Sequence, residues 1–350
     1  MKILDFRSDA VTCPTLEMRG AMAAAEVADD VLGRDPVMDR LERRIADLLG
    51  KEAGLWTPTC TMANLIALML HLQRGDRFLA PAQAHVLGSE LGTGAWLAGG
   101  MPEALGWDDG PGRITPTQVW RGAGSPGPYY ALRTTLLCLE NTHTFAGGTC
   151  TTVAEHRELV DQAQAKGLKV HLDGARLWHA AAVQEAALDQ LAWGVDTVSV
   201  CLSKCLGAPM GSVLCGSRET IEQARRVRMM LGGGVAEGGV MAAAGLVALD
   251  YLPRIPEDHA KARRLASGLR TMGFNVDEPQ TNILLVRMPN PPAAISVLEE
   301  AKVRVLPIGS AVRFVTHRDL SDADVEAAIE RIRPITARLV TTWEGERPMA

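Results

Sequence analysis

Two ionisable residues in the middle of the chain fall where strands end. Residues 168–173, Leu-Lys-Val-His-Leu-Asp, read as a short buried strand closing on the carboxylate of Asp173, with Gly174, Ala175 and Arg176 directly behind it. A second apolar run, 195–202, ends in Ser203-Lys204 and a turn that contains Gly207 and Pro209. In a mostly parallel sheet, neighbouring strands deliver their C-terminal ends to one crevice, which is where open α/β folds bind ligands. Asp173 and Lys204 are therefore expected to face one pocket. An amine there can form a Schiff base with a carbonyl, and a carboxylate there can pair with a protonated pyridine nitrogen. The pair suits pyridoxal phosphate, held covalently by Lys204 and kept an electron sink by Asp173.

Other residues fit the same chemistry. Arg176 is suited to bidentate recognition of a substrate carboxylate. Thr59-Cys60-Thr61 opens a helix, so its backbone N–H groups and the Thr61 hydroxyl can take a phosphate, with Ser203 as a further donor. His85, in the loop after a strand near Ala80, can stack over a cofactor ring, and His143 can support the site from behind. Each of these has an ordinary reading when taken alone. A lone lysine snorkels at the surface, a strand-end aspartate caps a helix, threonines cap helices, and most histidines are satisfied core or surface residues. Their convergence carries the catalytic reading. The glycines at 147–148 and 232–234 come without a phosphate-loop fingerprint.

The elements that must position these residues alternate between strand and helix. Leu41, Ile45, Leu48 and Leu49 recur at helical spacing across 36–49, and Gly50 ends that helix. A loop then leads into a helix from about residue 62, followed by a strand at 77–80, a helix near 88–97 and a strand at 134–139. Helices over 153–166 and 186–193 precede the Asp173 and Lys204 strands. This alternation predicts an α/β fold with a mainly parallel sheet. The character changes at 251–256. Beyond it come a helix over 257–272, strands at 282–288, 304–306 and 312–316, a helix at 293–301, and a capping box of Ser321 and Asp324 opening the last long helix. The expected organisation is an N-terminal arm and large cofactor-binding domain over 1–250, then a small α+β domain over 251–350.

The chain has 350 residues, enough for one large core and a smaller one. With 47% apolar and 22% charged residues it reads as a globular protein, and its net charge of −5 gives no general field for nucleic acid or anionic lipid. Arg225, Arg226 and Arg228 form the local exception, expected on a solvated or intersubunit helix face. No apolar run of membrane-spanning length and no leader pattern are seen, so a soluble cytoplasmic protein is expected. Seven cysteines without paired ligand spacing predict reduced thiols and no metal site.

The motifs that carry a family likeness run almost the whole length. They include residues 5–12, Asp-Phe-Arg-Ser-Asp-Ala-Val-Thr; 61–64, Thr-Met-Ala-Asn; Ala84-His85; and 140–143, Glu-Asn-Thr-His. The sharpest are 171–176, His-Leu-Asp-Gly-Ala-Arg, and 203–209, Ser-Lys-Cys-Leu-Gly-Ala-Pro, with Leu231-Gly232-Gly233-Gly234, Thr281-Asn282 and 312–317, Val-Arg-Phe-Val-Thr-His, further on. On these residues the chain resembles the low-specificity L-threonine aldolase family, within the aspartate-aminotransferase-like fold (fold type I) of pyridoxal-phosphate enzymes. The resemblance implies reversible cleavage of β-hydroxy-α-amino acids such as threonine or allo-threonine to glycine and an aldehyde. Relatives of the same fold that act as transaldolases, racemases or β-eliminating lyases are the alternative. It implies Lys204 as the Schiff-base lysine, Asp173 as the pyridine-nitrogen partner and His85 as the ring-stacking histidine. His85 is also the first candidate for the proton-transfer step, directly or through a water, with stacking alone as the alternative. Thr59, Cys60 (through its N–H) and Thr61 take the phosphate-loop positions, and Ser8, Arg176 and Arg313 the substrate-carboxylate positions. It also implies a homotetramer, a dimer of dimers.

The chain departs from the family pattern in several places. Leu32 and Arg34 stand where a tyrosine and a glutamate are usual, Met229 where a lysine is, and Ala236 where an arginine is. Tyr130, or Tyr129 if the loop shifts, stands where a histidine near the substrate hydroxyl is usual. A phenol is a poor base at neutral pH but a serviceable donor, so looser stereochemical discrimination at the β-carbon is expected.

Overall fold

The computed structural model describes residues 1–125 and 127–340. They form two compact units. Pro14–Pro253 is the larger, and Met1–Cys13 with the described part of Arg254–Ala350 is the smaller. The division falls after Pro253 rather than after residue 250. The arm, expected with the large domain, belongs to the smaller unit because its strand β1 (Leu4–Asp5) pairs there.

The larger unit is built on a seven-stranded sheet. Its strands are β2 (Ala53–Thr57), β3 (Arg77–Pro81), β4 (Met101–Leu105), β5 (Thr134–Glu140), β6 (Lys169–Gly174), β7 (Thr197–Cys201) and β8 (Ser212–Gly216), in the order β2-β8-β7-β6-β5-β3-β4. From β7 through to β4 every neighbour is parallel. β8 runs antiparallel to both β7 and β2. The central parallel strands are largely buried, β7 at every residue, as burial on both faces demands, while the edge strand β4 is mostly exposed. The helices between them start on strong signals. Asp35 caps Pro36–Leu48 through Val37 and Met38 N–H, and Thr152 with Glu155 forms a capping box on Val153–Ala165.

Two local expectations need correction. The helix expected near 88–97 is a pair of single turns, His85–Gly88 and Thr93–Trp96, separated by Gly92 in the left-handed region at φ 72°. The Arg225-Arg226-Arg228 cluster does not lie on a purely solvated face. Arg228 is buried, donating to Asp30 Oδ2 (2.9 Å) and to the Trp56 carbonyl (2.9 Å), and Arg225 donates to the buried Glu42 (2.6 Å). Buried carboxylates draw two of the three guanidinium groups inward.

In the smaller unit β9 (Asn275–Val276), β10 (Ile283–Arg287), β12 (Leu306–Ile308) and β13 (Ala311–Val315) form an antiparallel sheet in the order β12-β13-β10-β9. β11 (Val303–Arg304) instead pairs in parallel with β1. Phe6 and Phe314 meet edge to face at 5.9 Å within a core that includes Leu265, Leu269, Val286 and Ile332. Ser321 and Asp324 form the expected capping box on Asp322–Ile332. Among the described residues no helix is long and apolar enough to cross a membrane.

Candidate active site

β6 and β7 lie side by side in parallel, with Asp173 opposite Ser199. Asp173 therefore points from the end of β6 into the crevice where the chain leaves β7 for Lys204. Gly174 is required at the next position, since a Cβ there would lie 2.7 Å from the Ser199 carbonyl oxygen. Lys204 sits half-buried in the turn between β7 and β8. That turn is held by Gly207 N–H to the Lys204 carbonyl (3.0 Å) and Ala208 N–H to the Leu202 carbonyl (3.0 Å).

The Asp173 carboxylate is 3% exposed and uses both oxygens. Oδ1 accepts from Ala175 N–H (3.0 Å) and Oδ2 from Asn64 Nδ2 (2.8 Å). Burial works against its charge, but His85, Lys204 and the Ala175 N–H outweigh burial and hold it below the usual carboxylate value. Asn64 stands one helical turn beyond Cys60 on the helix Cys60–His71, so both reach the same place. Cys60 Sγ lies 4.0 Å from Asp173 Oδ1 and 3.6 Å from Ser199 Oγ. Burial and the Asp173 charge push its thiol up, so it stays protonated.

At the start of that helix Thr59 Oγ1 accepts from Met62 N–H (3.1 Å) and the Thr59 carbonyl from Ala63 N–H (3.2 Å). The Thr59 hydroxyl oxygen is thus engaged as the cap. The N–H groups of Cys60 and Thr61 remain directed out of the helix end, where the macrodipole favours an anion. Ser203 Oγ lies 3.5 Å from Cys201 Sγ on the strand that leads to Lys204.

His85 is held at both ends. Its backbone N–H donates to Glu140 Oε2 (2.6 Å), and its ring Nδ1 lies 2.8 Å from Glu90 Oε1. Glu140 also accepts from Thr144 N–H (2.8 Å), and Thr144 Oγ1 receives Arg176 Nη1 (2.8 Å), which fixes the buried Arg176 at the head of the helix Leu177–Gln184. His143 is buried edge to face with Trp107 at 5.4 Å. Sequence reasoning missed Asn64 and Glu90 as site residues and quoted Glu140 without a role. The signals available were the four-residue spacing of Cys60 and Asn64, and an acid five residues after His85.

Three further residues carry assignments. In the smaller unit, Ser8 caps a short turn by accepting from Ala10 N–H (3.1 Å), and Arg313 is buried on β13 with Nη2 donating to the Arg7 carbonyl (3.0 Å). Tyr130, expected beside the substrate hydroxyl, is 78% exposed, packs edge-on against Tyr129 at 5.3 Å and makes no hydrogen bond among the described residues. The structure does not bring it into the cluster around Asp173.

Behind Asn64 the network is neutral. Asn64 Oδ1 receives Ser199 Oγ (2.7 Å) and lies 3.1 Å from His171 Nε2, while His171 Nδ1 lies 2.9 Å from Thr197 Oγ1. Burial pushes His171 down to about 4, with Asp173 opposing. The unfolded chain, with an ordinary imidazole near 6.5, therefore binds a proton first as pH falls, and stability drops between about pH 6.5 and pH 4 by up to ~3 kcal/mol for this one residue. Urea unfolding at pH 7, 5.5 and 4.5 should reveal this loss, with a shallower dependence in His171→Gln. Coincident pH slopes for the two proteins would remove the assignment.

The donor set fits pyridoxal phosphate. A buried carboxylate kept ionised suits a protonated ring nitrogen, an open helix N-terminus suits a phosphate, and a half-buried lysine stands at an adjoining strand end. Fold and site together define a fold-type-I, aspartate-aminotransferase-like pyridoxal-phosphate enzyme. Residues 5–290 match the beta-eliminating lyase family. The chain is 39% identical to low-specificity L-threonine aldolase 1 of Arabidopsis thaliana, over 93% of this chain and 94% of that one. It is 37% identical to the low specificity L-threonine aldolase of Escherichia coli strain K12, over 96% and 100%. In structure it matches the threonine aldolase of Leishmania major with a TM-score of 0.83 over 95% of this chain and 100% of that one, at 20% identity, a likeness of fold. The chain belongs to the low-specificity L-threonine aldolase branch of the beta-eliminating lyase family.

Proposed function

We propose that this enzyme cleaves β-hydroxy-α-amino acids, threonine and allo-threonine among them, reversibly to glycine and an aldehyde. The observation that carries the proposal is the ionised, doubly hydrogen-bonded Asp173 carboxylate at the end of β6, beside the strand that delivers Lys204. Bound pyridoxal phosphate supplies an electron sink for bonds at the substrate α-carbon. Lys204 is its point of covalent attachment, Asp173 pairs with its ring nitrogen, and the N–H groups of Cys60 and Thr61, the Thr61 hydroxyl and Ser203 hold its phosphate. Thr59 contributes by capping the helix that presents those groups.

Arg176 is the larger unit's group for the substrate carboxylate, and the resemblance gives Ser8 and Arg313 the same role. His85 stacks on the ring and moves the proton at the β-hydroxyl, while for Tyr130, exposed in the single chain, the resemblance alone supports a part in accepting the aldehyde portion. The resemblance also supports assembly as a homotetramer of two dimers.

Product analysis tests the reaction. Incubation with the four threonine stereoisomers and phenylserine should yield glycine and aldehyde in equal amounts, with weak discrimination between threonine and allo-threonine that sharpens or inverts in Tyr130→His. Inversion at the α-carbon, or a keto acid with ammonia, would replace the aldolase reading by a racemase or β-eliminating lyase. Strict selectivity untouched by the substitution would remove Tyr130 from the proposal.

A further inference from the structure

Glu90 has no role in the assignments above, yet its side chain is fully buried against His85. Its Oε1 is approached by two groups, His85 Nδ1 and Asn64 Nδ2, each at 2.8 Å. Its Oε2 is buried with no hydrogen-bond partner among the described residues. The amide orientation of Asn64 follows from its surroundings. Its nitrogen faces two carboxylates, Glu90 and Asp173, and its oxygen faces the Ser199 hydroxyl and His171 Nε2, so a flipped amide would set oxygen against oxygen twice. Glu90 Oε1 therefore already holds one N–H donor, and His85 Nδ1 meets it as a second.

We propose that Glu90 is a positioning residue that orients the His85 ring and selects its charge state through the Nδ1 hydrogen bond. The physical reason is the bare Oε2. A carboxylate with one oxygen unpartnered in the interior is costly unless a positive charge lies beside it, which an imidazolium in contact with its other oxygen supplies. Burial and the Asp173 charge push the Glu90 carboxyl above its ordinary value, against the hydrogen bonds from His85 and Asn64. Fixing Nδ1–H on Glu90 leaves Nε2 as the free ring nitrogen, which has no hydrogen bond among the described residues, on a side chain still 31% exposed. The groups facing His85 come from several elements. Glu140 at the end of β5 takes its backbone N–H, Asp173 on β6 attracts its charge, and Lys204 after β7 repels it. Cys138 on β5 and His171 on β6 flank the cluster as neutral groups. Burial alone would lower the imidazole, but the Glu90 hydrogen bond and the charges of Asp173 and Glu90 outweigh burial and the Lys204 repulsion, and raise it above 6.5. This inference rests on the reading that His85 serves the cofactor pocket.

The test reads His85 directly. Imidazole ¹H–¹⁵N spectra of the purified holoprotein are followed across pH, with the His85 signal assigned by its absence in His85→Asn. The wild-type midpoint should lie above 6.5. Glu90→Gln keeps an acceptor for Nδ1–H but removes the charge, and should lower the midpoint by about one pH unit or more, a tenfold change in proton affinity. Glu90→Asp keeps the charge and should restore most of the shift. The kcat–pH profile should move with the midpoint while KM changes less. A wild-type midpoint at or below 6.5, or equal midpoints in wild type and Glu90→Gln, would overturn the proposal, and the wild-type result together with Glu90→Asp decides it should Glu90→Gln fail to fold. The midpoint is read without turnover, so a protein that cleaves no β-hydroxy amino acid would overturn the reaction assignment and leave this one standing.

Discussion

Lys204→Ala is expected to lower turnover of β-hydroxy amino acids by about 10⁴-fold or more, roughly 5 kcal/mol or more of transition-state stabilisation, with the fold intact. The size of the effect follows from two losses at one position. On the proposed reading the side chain would provide the covalent attachment and, when free, an amine for proton transfer at the substrate. The fold should survive because the turn around Lys204 is closed by main-chain bonds from Gly207 and Ala208. Removing the ammonium also takes away one of the charges that keep Asp173 ionised. Borohydride reduction followed by peptide mass mapping gives the companion measurement. The wild type should carry the reduced cofactor on the peptide with Lys204, the variant should carry none, and circular dichroism should be unchanged. A reducible bond surviving in the variant would assign the attachment to another lysine.

Asp173→Asn should be the next most damaging change, lowering kcat by about 10³-fold, or roughly 4 kcal/mol. The aspartate accepts a hydrogen bond on each oxygen, from Ala175 and from Asn64. An asparagine offers only one acceptor, so its NH₂ must face one of those two donors, and the buried mismatch costs about 1–3 kcal/mol of stability in addition. Asp173→Glu keeps the charge but not the reach, and should fall between. Steady-state kinetics with urea unfolding on all three proteins separates the terms. If Asp173→Asn turned over within a few-fold of wild type, the carboxylate would not be the ring-nitrogen partner.

The residues with the clearest sequence signals were those at ends of regular elements. Asp173 and Lys204 were legible because apolar strands stop there, and Thr59 to Thr61 because a polar cluster precedes an apolar helical run. The parallel core could be read from buried strands alternating with helices. Glu90 could not, since a glutamate in a glycine-rich stretch reads as solvated and its burial depends on Asn64 and His85 arriving from other segments. The antiparallel β8 and the edge strand β4 were missed because five apolar or mixed residues carry no periodicity that tells strand from loop. The arm was misassigned for a different reason. β1 is two residues long and its partner, β11, lies near the other end of the sequence, so nothing local marks the pairing. Tyr130 was selected by counting along a resemblance, which carries no information about exposure.

The reversal of direction at β8 has a kinetic side. β7 and β8 pair from Cys201 with Ser212 to Thr197 with Gly216, joined by the connection over 202–211 that holds Lys204. Contacts between segments so close in sequence close quickly, whereas parallel neighbours must wait for a crossover to be laid down. In refolding, where the whole chain is present, the lysine-bearing pair of strands therefore has the shorter loop to close. The setting of Asp173 needs strands and a helix drawn from as far back as Asn64. On loop closure alone the turn that carries the amine is favoured to form before the setting of its counter-charge, and competence to retain the cofactor requires the long-range sheet.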